Sequence, residues 1–133
     1  MNSQNDKNPL RILSANDLYN INEEVTGYAP FVRDEQVLRA AVSRPYLILF
    51  GEEQFPSMLQ KAAATMHSLA YRHPFVDGNK RTATRATQLF LEANGIQPTW
   101  EQAEAQQFVL QIAKGVVDVD EITKWLENHT EIL

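Results

Sequence analysis

The side chains most able to do chemistry lie between positions 71 and 85, in the run YRHPFVDGNKRTATR. Histidine exchanges a proton most readily near neutral pH, so His73 is the natural general base for a hydroxyl group. Asp77 offers hard carboxylate oxygens, which suit a magnesium ion that keeps most of its waters and bridges substrate phosphates. Together the two residues predict a site that activates a hydroxyl beside a metal-bound phosphate.

The residues that follow Asp77 predict a phosphate site. A helix begins near them, and the free N–H groups of its first turn, with the positive end of its dipole, form an anion site. The planar fork of Arg81 can hold two phosphate oxygens, and Lys80 adds a point charge. Six residues are therefore predicted to bind phosphate: Gly78, Asn79, Lys80, Arg81, Thr82 and Arg85. Lys80 and Arg81 also join His73 and Asp77 as candidate catalytic residues.

Each of these residues also has an ordinary structural interpretation. An Asp-Gly-Asn run is usually a turn, and most lone histidines have no catalytic role, which is how His67 and His129 are interpreted. However, Lys80, Arg81 and Arg85 stand near a helix N-terminus, where the positive dipole end disfavours cations. The block as a whole therefore favours an anion-binding site.

Two predicted helices position this block. Apolar residues at spacings of three and four predict one helix over Phe55–Arg72 and another over Thr82–Asn94. Pro74 prevents continuation of the first helix, and Gly78 gives the backbone the freedom to turn into the second. Phe75, which lies between the polar residues His73 and Asp77, is predicted to point into the core and to act as a structural anchor for the loop.

Four further helices are predicted, which gives an all-α fold of about six helices. Their predicted ranges are 15–26 after the cap Ser14, 35–43 after Asp34, 100–114 after Thr99 and 119–129 after Asp118. Three of the caps have a partner three places on, as in a capping box: Asp17, Gln102 and Glu121. The buried side of the helix over 100–114 is assigned to Ala103, Ala105, Phe108, Leu110 and Ile112.

A short apolar run interrupts the helices. Between Pro45 and Gly51 stand five β-branched, aromatic or leucine side chains, namely Tyr46, Leu47, Ile48, Leu49 and Phe50. Their composition predicts a short strand or extended flap, built as a β-hairpin. A buried loop that crosses the core is the alternative, because short apolar runs are ambiguous.

The length and composition of the chain restrict its domain number, its partners and its expected location. With 133 residues and 44% apolar content, the chain is predicted to form one domain over 10–133, preceded by a disordered tail over 1–9. The net charge of -5 argues against direct binding to nucleic acid or to an anionic membrane. The chain has no cysteine, no apolar run long enough to cross a membrane and no secretion signal, so a cytoplasmic location is expected.

The run HPFVDGNKRT resembles the signature of the Fic/Doc superfamily, H-x-F-x-D/E-G-N-x-R, with every specified position filled. Lys80 replaces the second glycine that is typical of the AMP-transferring members, which makes the run similar to the death-on-curing (Doc) branch. Those AMP-transferring members also carry an arginine three residues after the first. Here that place is Thr84, and Arg85 follows one position late.

The resemblance implies a toxin that uses ATP and Mg²⁺ to phosphorylate a serine or threonine of a protein, with elongation factor Tu as the target. It implies that His73 accepts the hydroxyl proton, that Asp77 holds the metal, and that residues 78–81 hold the phosphates. It also implies a small antitoxin as partner, and a flap at residues 44–54 that docks the target by strand pairing.

Two other functions stay open. The first is transfer of AMP with the same base and metal ligand; the bulk of Lys80 favours γ-phosphoryl transfer over it. The second is a catalytically idle binding or regulatory module, against which the intact His73 and Asp77 count.

A short pattern occurs near the end of the sequence. Thr123–Asn128 fits the inhibitory pattern S/T-x-x-x-E-G/N of some Fic proteins, although the arginine with which its glutamate would pair is missing from the usual place.

Overall fold

Within residues 11–133, which are the residues that the computed structural model describes, the chain forms six helices. Their bounds are α1 Ala15–Thr26, α2 Glu35–Ser43, α3 Met58–Arg72, α4 Asn79–Ala93, α5 Gln102–Ala113 and α6 Val119–Asn128. The predicted helical fold is therefore confirmed. The predicted tail over 1–9 lies outside the described residues.

Local capping patterns fix most helix starts. Ser14 and Asp17 form a capping box at α1, Asp34 caps α2, and Asp118 with Glu121 caps α6, all as predicted. The starts predicted for α3 and α4 are wrong. Helix α3 begins at Met58 rather than Phe55, because Ser57 and Gln60 cap it, and α4 begins at Asn79 rather than Thr82, directly after Gly78.

The predicted flap is a hairpin of two short antiparallel strands. Strand β1 (Ile48–Leu49) pairs with β2 (Glu52–Glu53), with Ile48 opposite Glu53. The strand is shorter than predicted, because Tyr46 belongs to a 3₁₀ turn and Phe50 turns the chain with a φ of 52°. The five predicted flap residues are all exposed, which excludes the alternative of a buried loop.

A second hairpin was not predicted. Strand β3 (Ile96–Pro98) pairs with β4 (Thr130–Ile132) from the end of the chain. The pairing continues through Thr99, whose N–H donates to the carbonyl of His129 at 2.7 Å. The predicted Thr99–Gln102 cap is therefore wrong, and the side chain of Glu104 accepts from the N–H of Glu101 at the start of α5 instead.

One core contains side chains from all six helices. Helix α3 lies at its centre, buried almost continuously from Lys61 to Ala70, and it packs most extensively against α4. On α5 the buried face is Ala105, Val109 and Ile112, so the prediction for Ala103 and Leu110 is wrong; both are exposed. Between residues 11 and 133, no helix is long and apolar enough to cross a membrane.

Candidate active site between α3 and α4

His73 occupies the turn that ends α3. It is the C-cap residue, and its backbone is left-handed, with φ 53° and ψ 64°. This conformation is uncommon for a residue with a Cβ atom. The imidazole is half-buried, and no hydrogen bond within residues 11–133 involves its ring nitrogens, so the ring is available to a substrate.

The segment before α2 holds the loop that follows His73. The N–H of Val76 donates to the carbonyl of Phe31 at 2.9 Å, and a β-bridge joins Val32 to Phe75. Phe75 is 1% exposed and meets the ring of Tyr19 edge-on. The side chain predicted to anchor the loop thus lies in the core.

The side chain of Asn79 closes the loop on itself. Its Oδ1 accepts from the N–H of Phe75 at 2.9 Å, and its Nδ2 donates to the carbonyl of Phe75 at 2.8 Å. Both ends of the amide are therefore used within the loop. The group of Asn79 that stays open to an anion is its backbone N–H in the first turn of α4, where no side chain caps the helix.

Gly78 lies against the end of α1. Its φ is 79°, and an added Cβ atom would come within 2.6 Å of Cγ2 of Thr26 and 3.1 Å of Nδ2 of Asn22. Asn22 is buried and donates to the carbonyl of Asp77 at 2.9 Å and to Oγ1 of Thr82 at 3.1 Å. Thr82 is itself buried, so its side chain lies beneath the loop rather than on its open face.

The carboxylate of Asp77 is exposed and oriented by its neighbours. The hydroxyl of Tyr28 donates to Oδ2. That bond, then the N–H of Gly78, and then the charges of Arg81 and Lys80 hold the pKa of Asp77 below its usual range. The same bond raises the pKa of Tyr28, so the carboxylate is ionised and the phenol protonated at neutral pH.

Three cations surround the first turns of α4. Lys80 and Arg81 are exposed, and a guanidinium N–H of Arg81 donates to the carbonyl of Val25. Arg85 is held by the carboxylate of Glu24 at 3.3 Å. The three line one side of a cavity of about 780 Å³, whose other walls come from α5 and its approach, among them Trp100, Gln102, Gln106 and Val109.

The residues present fit a magnesium ion of the kind predicted. Among the residues described, no group of three or more His, Cys, Asp or Glu side chains could hold a metal. Mg²⁺ needs no such cage, because it retains waters and is bound through one or two carboxylates together with substrate phosphates. Asp77, ionised and exposed beside the N-terminus of α4, is the carboxylate that could hold it.

The hairpin β1–β2 is attached to the helix that ends in His73. Lys61 of α3, 8% exposed, pairs with Glu53 of β2 at 3.0 Å and donates to the carbonyl of Phe55. Arg44, before the hairpin, donates to Nδ1 of His67 at 2.9 Å and to the hydroxyl of Ser68 at 3.0 Å. The predicted flap and the predicted base are thus fixed to one helix.

Sequence reasoning missed several residues around the site. Asn22 gave a signal, because it is a polar residue four places after Leu18 on the apolar face of α1. Tyr28, Arg33 and Glu24 gave none, since their partners lie 39 to 61 residues away along the chain. The segment 123–128, which fits the short inhibitory pattern of some Fic proteins, lies on α6, where Glu127 is exposed and forms no ion pair within residues 11–133.

Two comparisons with known proteins show what this chain is similar to. The sequence profile of the Fic/DOC family matches residues 12–91, which include α1 to α3, the loop and most of α4. Toxin Doc of Mycolicibacterium smegmatis is 41% identical over 93 residues, which are 68% of this chain and 72% of the relative.

Proposed function

We infer the function from the family, because this chain belongs to the Fic/DOC family, as its signature run predicted. We propose that it transfers the γ-phosphoryl group of ATP to a hydroxyl side chain of a protein. One observation supports the proposal most strongly. The free imidazole of His73 and the ionised carboxylate of Asp77 lie at the two ends of one short loop, directly before the uncapped N-terminus of α4.

In the proposed reaction, the hydroxyl oxygen of a target serine or threonine attacks the γ-phosphorus. His73 accepts the proton of that hydroxyl. The bond from that phosphorus to the bridging oxygen breaks, and ADP leaves. Phosphoryl transfer needs chiefly positioning and charge neutralisation. A bound Mg²⁺ supplies part of that neutralisation, and Asp77 is the residue that would hold it.

The remaining phosphate contacts are assigned to α4. The N–H groups of Asn79, Lys80 and Arg81 and the backbone at Gly78 would face the phosphates, with the two cationic side chains beside them. The cavity that begins at Lys80, Arg81 and Arg85 would take the nucleoside, since it is roomy and lined by apolar and amide side chains. Thr82 contributes by fixing the loop from below.

The relative named Toxin Doc supports a finer proposal. We infer that this chain acts in the cytoplasm as the toxin of a toxin–antitoxin pair, that elongation factor Tu is its target, and that a small antitoxin restrains it. The exposed hairpin β1–β2 would dock the target segment by strand pairing.

The test is incubation of the protein with Mg²⁺, purified elongation factor Tu and ATP labelled at the α- or the γ-phosphate. His73→Ala is the blank, and His129→Ala, which alters a histidine stacked on Trp125 near the end of α6, is the matched control. Label transferred only from the γ position, and lost only in the His73 variant, is the expected result. Label from the α position would establish AMP transfer, and ATP binding without any transfer would favour an idle binding module.

A further inference from the structure

We propose that Arg33 is a positioning residue that fixes the orientation of His73 by capping the C-terminus of α3. The inference rests on the proposed role of His73 as the base. Arg33 lies in the segment between α1 and α2, far from the signature run in sequence.

Arg33 binds the end of α3 at three points. Its Nε donates to the carbonyl of His73, and its Nη2 donates to the carbonyl of Arg72 at 2.7 Å. Its backbone N–H donates to the carbonyl of Pro74 at 2.7 Å. The carbonyl groups of Arg72 and His73, which the helix leaves without partners, are thus satisfied by one side chain. The carbonyl of Pro74 accepts from the N–H groups of both Arg33 and Asp34.

This capping matters because the backbone of His73 is strained. A left-handed conformation costs a residue with a Cβ atom free energy, and it persists only where the surroundings enforce it. Asn79 closes the far side of the loop, but its bonds reach only Phe75. Arg33 is the side chain that holds the carbonyl groups on either side of the His73 Cα atom.

Within residues 11–133, no carboxylate competes for the guanidinium group of Arg33. Its side chain is exposed, and among residues 11–133 it forms no ion pair with a carboxylate. Both recorded side-chain hydrogen bonds go to the turn that carries His73. Without them, the turn can relax toward the right-handed region, which carries the imidazole away from the position that the loop gives it.

The expected effect is on turnover rather than on ATP binding. A displacement of about 1 Å of a reacting group can cost about 100-fold in rate. We therefore expect Arg33→Ala to lower kcat by about 10- to 100-fold while the KM for ATP changes less than about twofold, because the phosphate site on α4 is untouched. Arg33→Lys, which keeps one donor group and the charge, should restore part of kcat.

Arg39→Ala is the matched control, because Arg39 is an exposed arginine on the neighbouring α2 whose side chain forms no hydrogen bond in the described part of the chain. All variants are assayed well below the Tm of each, so that unfolding does not enter kcat. A kcat for Arg33→Ala equal to that of Arg39→Ala would overturn the inference, as would an equal loss in the Lys variant and the Ala variant.

A second measurement does not depend on the reaction. The chain has three histidines, so ring signals of ¹³C,¹⁵N-histidine-labelled protein can be assigned with His73→Ala. Arg33→Ala should shift or broaden the His73 ring signals alone, and Arg39→Ala should leave all three in place. If the unsubstituted protein transfers no phosphate, the proposed function fails and the ring signals decide the inference; unchanged His73 signals in Arg33→Ala refute it.

Discussion

Gly78 lies so close to Thr26 that a Cβ atom on Gly78 would come within 2.6 Å of Cγ2 of Thr26. Gly78→Ala should therefore destabilise the protein through two effects. The φ of 79° costs about 1 kcal/mol once a Cβ atom is present. The overlap with α1 costs about 1–3 kcal/mol more. Urea unfolding measures the sum.

Gly27→Ala separates the two effects, because Gly27 has a φ of 87° but nothing within 4 Å of an added Cβ atom. It should show the backbone cost alone. Thr26→Ser removes Cγ2 and keeps the hydroxyl, so the double variant with Gly78→Ala should recover the overlap cost. Equal stability of Gly27→Ala and Gly78→Ala would contradict the close approach.

If the proposed function holds, Glu24 should oppose the binding of ATP at the proposed phosphate site. Its carboxylate neutralises Arg85, whose guanidinium otherwise faces the cavity, and both side chains are partly exposed. Glu24→Gln should tighten ATP binding by about two- to tenfold at low salt, with a smaller gain at high salt because exposed charges are screened. The Kd for ATP, measured by calorimetry at two ionic strengths, tests this.

Glu23→Gln is the control, because Glu23 is also exposed on α1 but forms no ion pair among the residues described. It removes the same formal charge from the same helix. If both variants tighten ATP binding equally, the effect belongs to net charge rather than to the pair between Glu24 and Arg85.

What could be predicted from the sequence is what depends on near neighbours. Helix caps with partners three residues away, such as Ser14 with Asp17, follow from local hydrogen bonding and were found correctly. The signature run also identified its family without any knowledge of the fold. The burial of Phe75 agrees with a polar–apolar pattern that spans only a few residues.

What could not be predicted depends on distant partners. The strands β3 and β4 have three residues each, which is too short for a recognisable strand pattern in the sequence. They pair only because α5 and α6 bring residues 130–132 back to the residues that follow α4. That pairing also moved the start of α5, because Thr99 is held by His129. Likewise, nothing near Tyr28 in the sequence indicates that its hydroxyl reaches Asp77.

Lys61 attaches the hairpin to α3. Its ammonium group bonds Glu53 and the carbonyl of Phe55 and lies 5.8 Å from the ring centre of Tyr46. Lys61→Met keeps an unbranched apolar stem one atom shorter than that of lysine and removes these contacts, which are worth about 1–2 kcal/mol to the hairpin. Hydrogen exchange of the Gln54 amide, bonded to the carbonyl of Leu47, should accelerate by about 5- to 30-fold.

The global stability of Lys61→Met should change little, since an apolar side chain suits the buried stem. Lys124→Met is the control, because Lys124 is exposed on α6 and is not in contact with the hairpin. Unchanged exchange at Gln54 in Lys61→Met would show that the hairpin is held by other contacts, such as those of Arg44.

His67 should make the stability of the fold depend on pH. Its Nδ1 must accept from Arg44, because a guanidinium can only donate. Burial first, and then the charges of Arg44 and Arg72, lower the pKa of His67, while Asp118 opposes them. The unfolded chain therefore takes up the proton first as pH falls. The contribution of His67 is fully present above its unfolded pKa of about 6.5 and is lost as pH falls toward the lower folded pKa.

His67→Asn tests this sign. The amide oxygen can take the place of Nδ1 and accept from Arg44, but it does not titrate. The Tm of the unsubstituted protein should fall from pH 7.5 to pH 5.5 more steeply than that of the variant, and groups that titrate in both proteins cancel in the difference. A difference that is flat, or that favours the unsubstituted protein more at low pH, would contradict the lowered pKa. Because Arg44 also leads into the hairpin, the protection factor of the Gln54 amide, which is the ratio of the unfolded-chain exchange rate at each pH to the observed rate, should decrease over the same pH range in the unsubstituted protein alone.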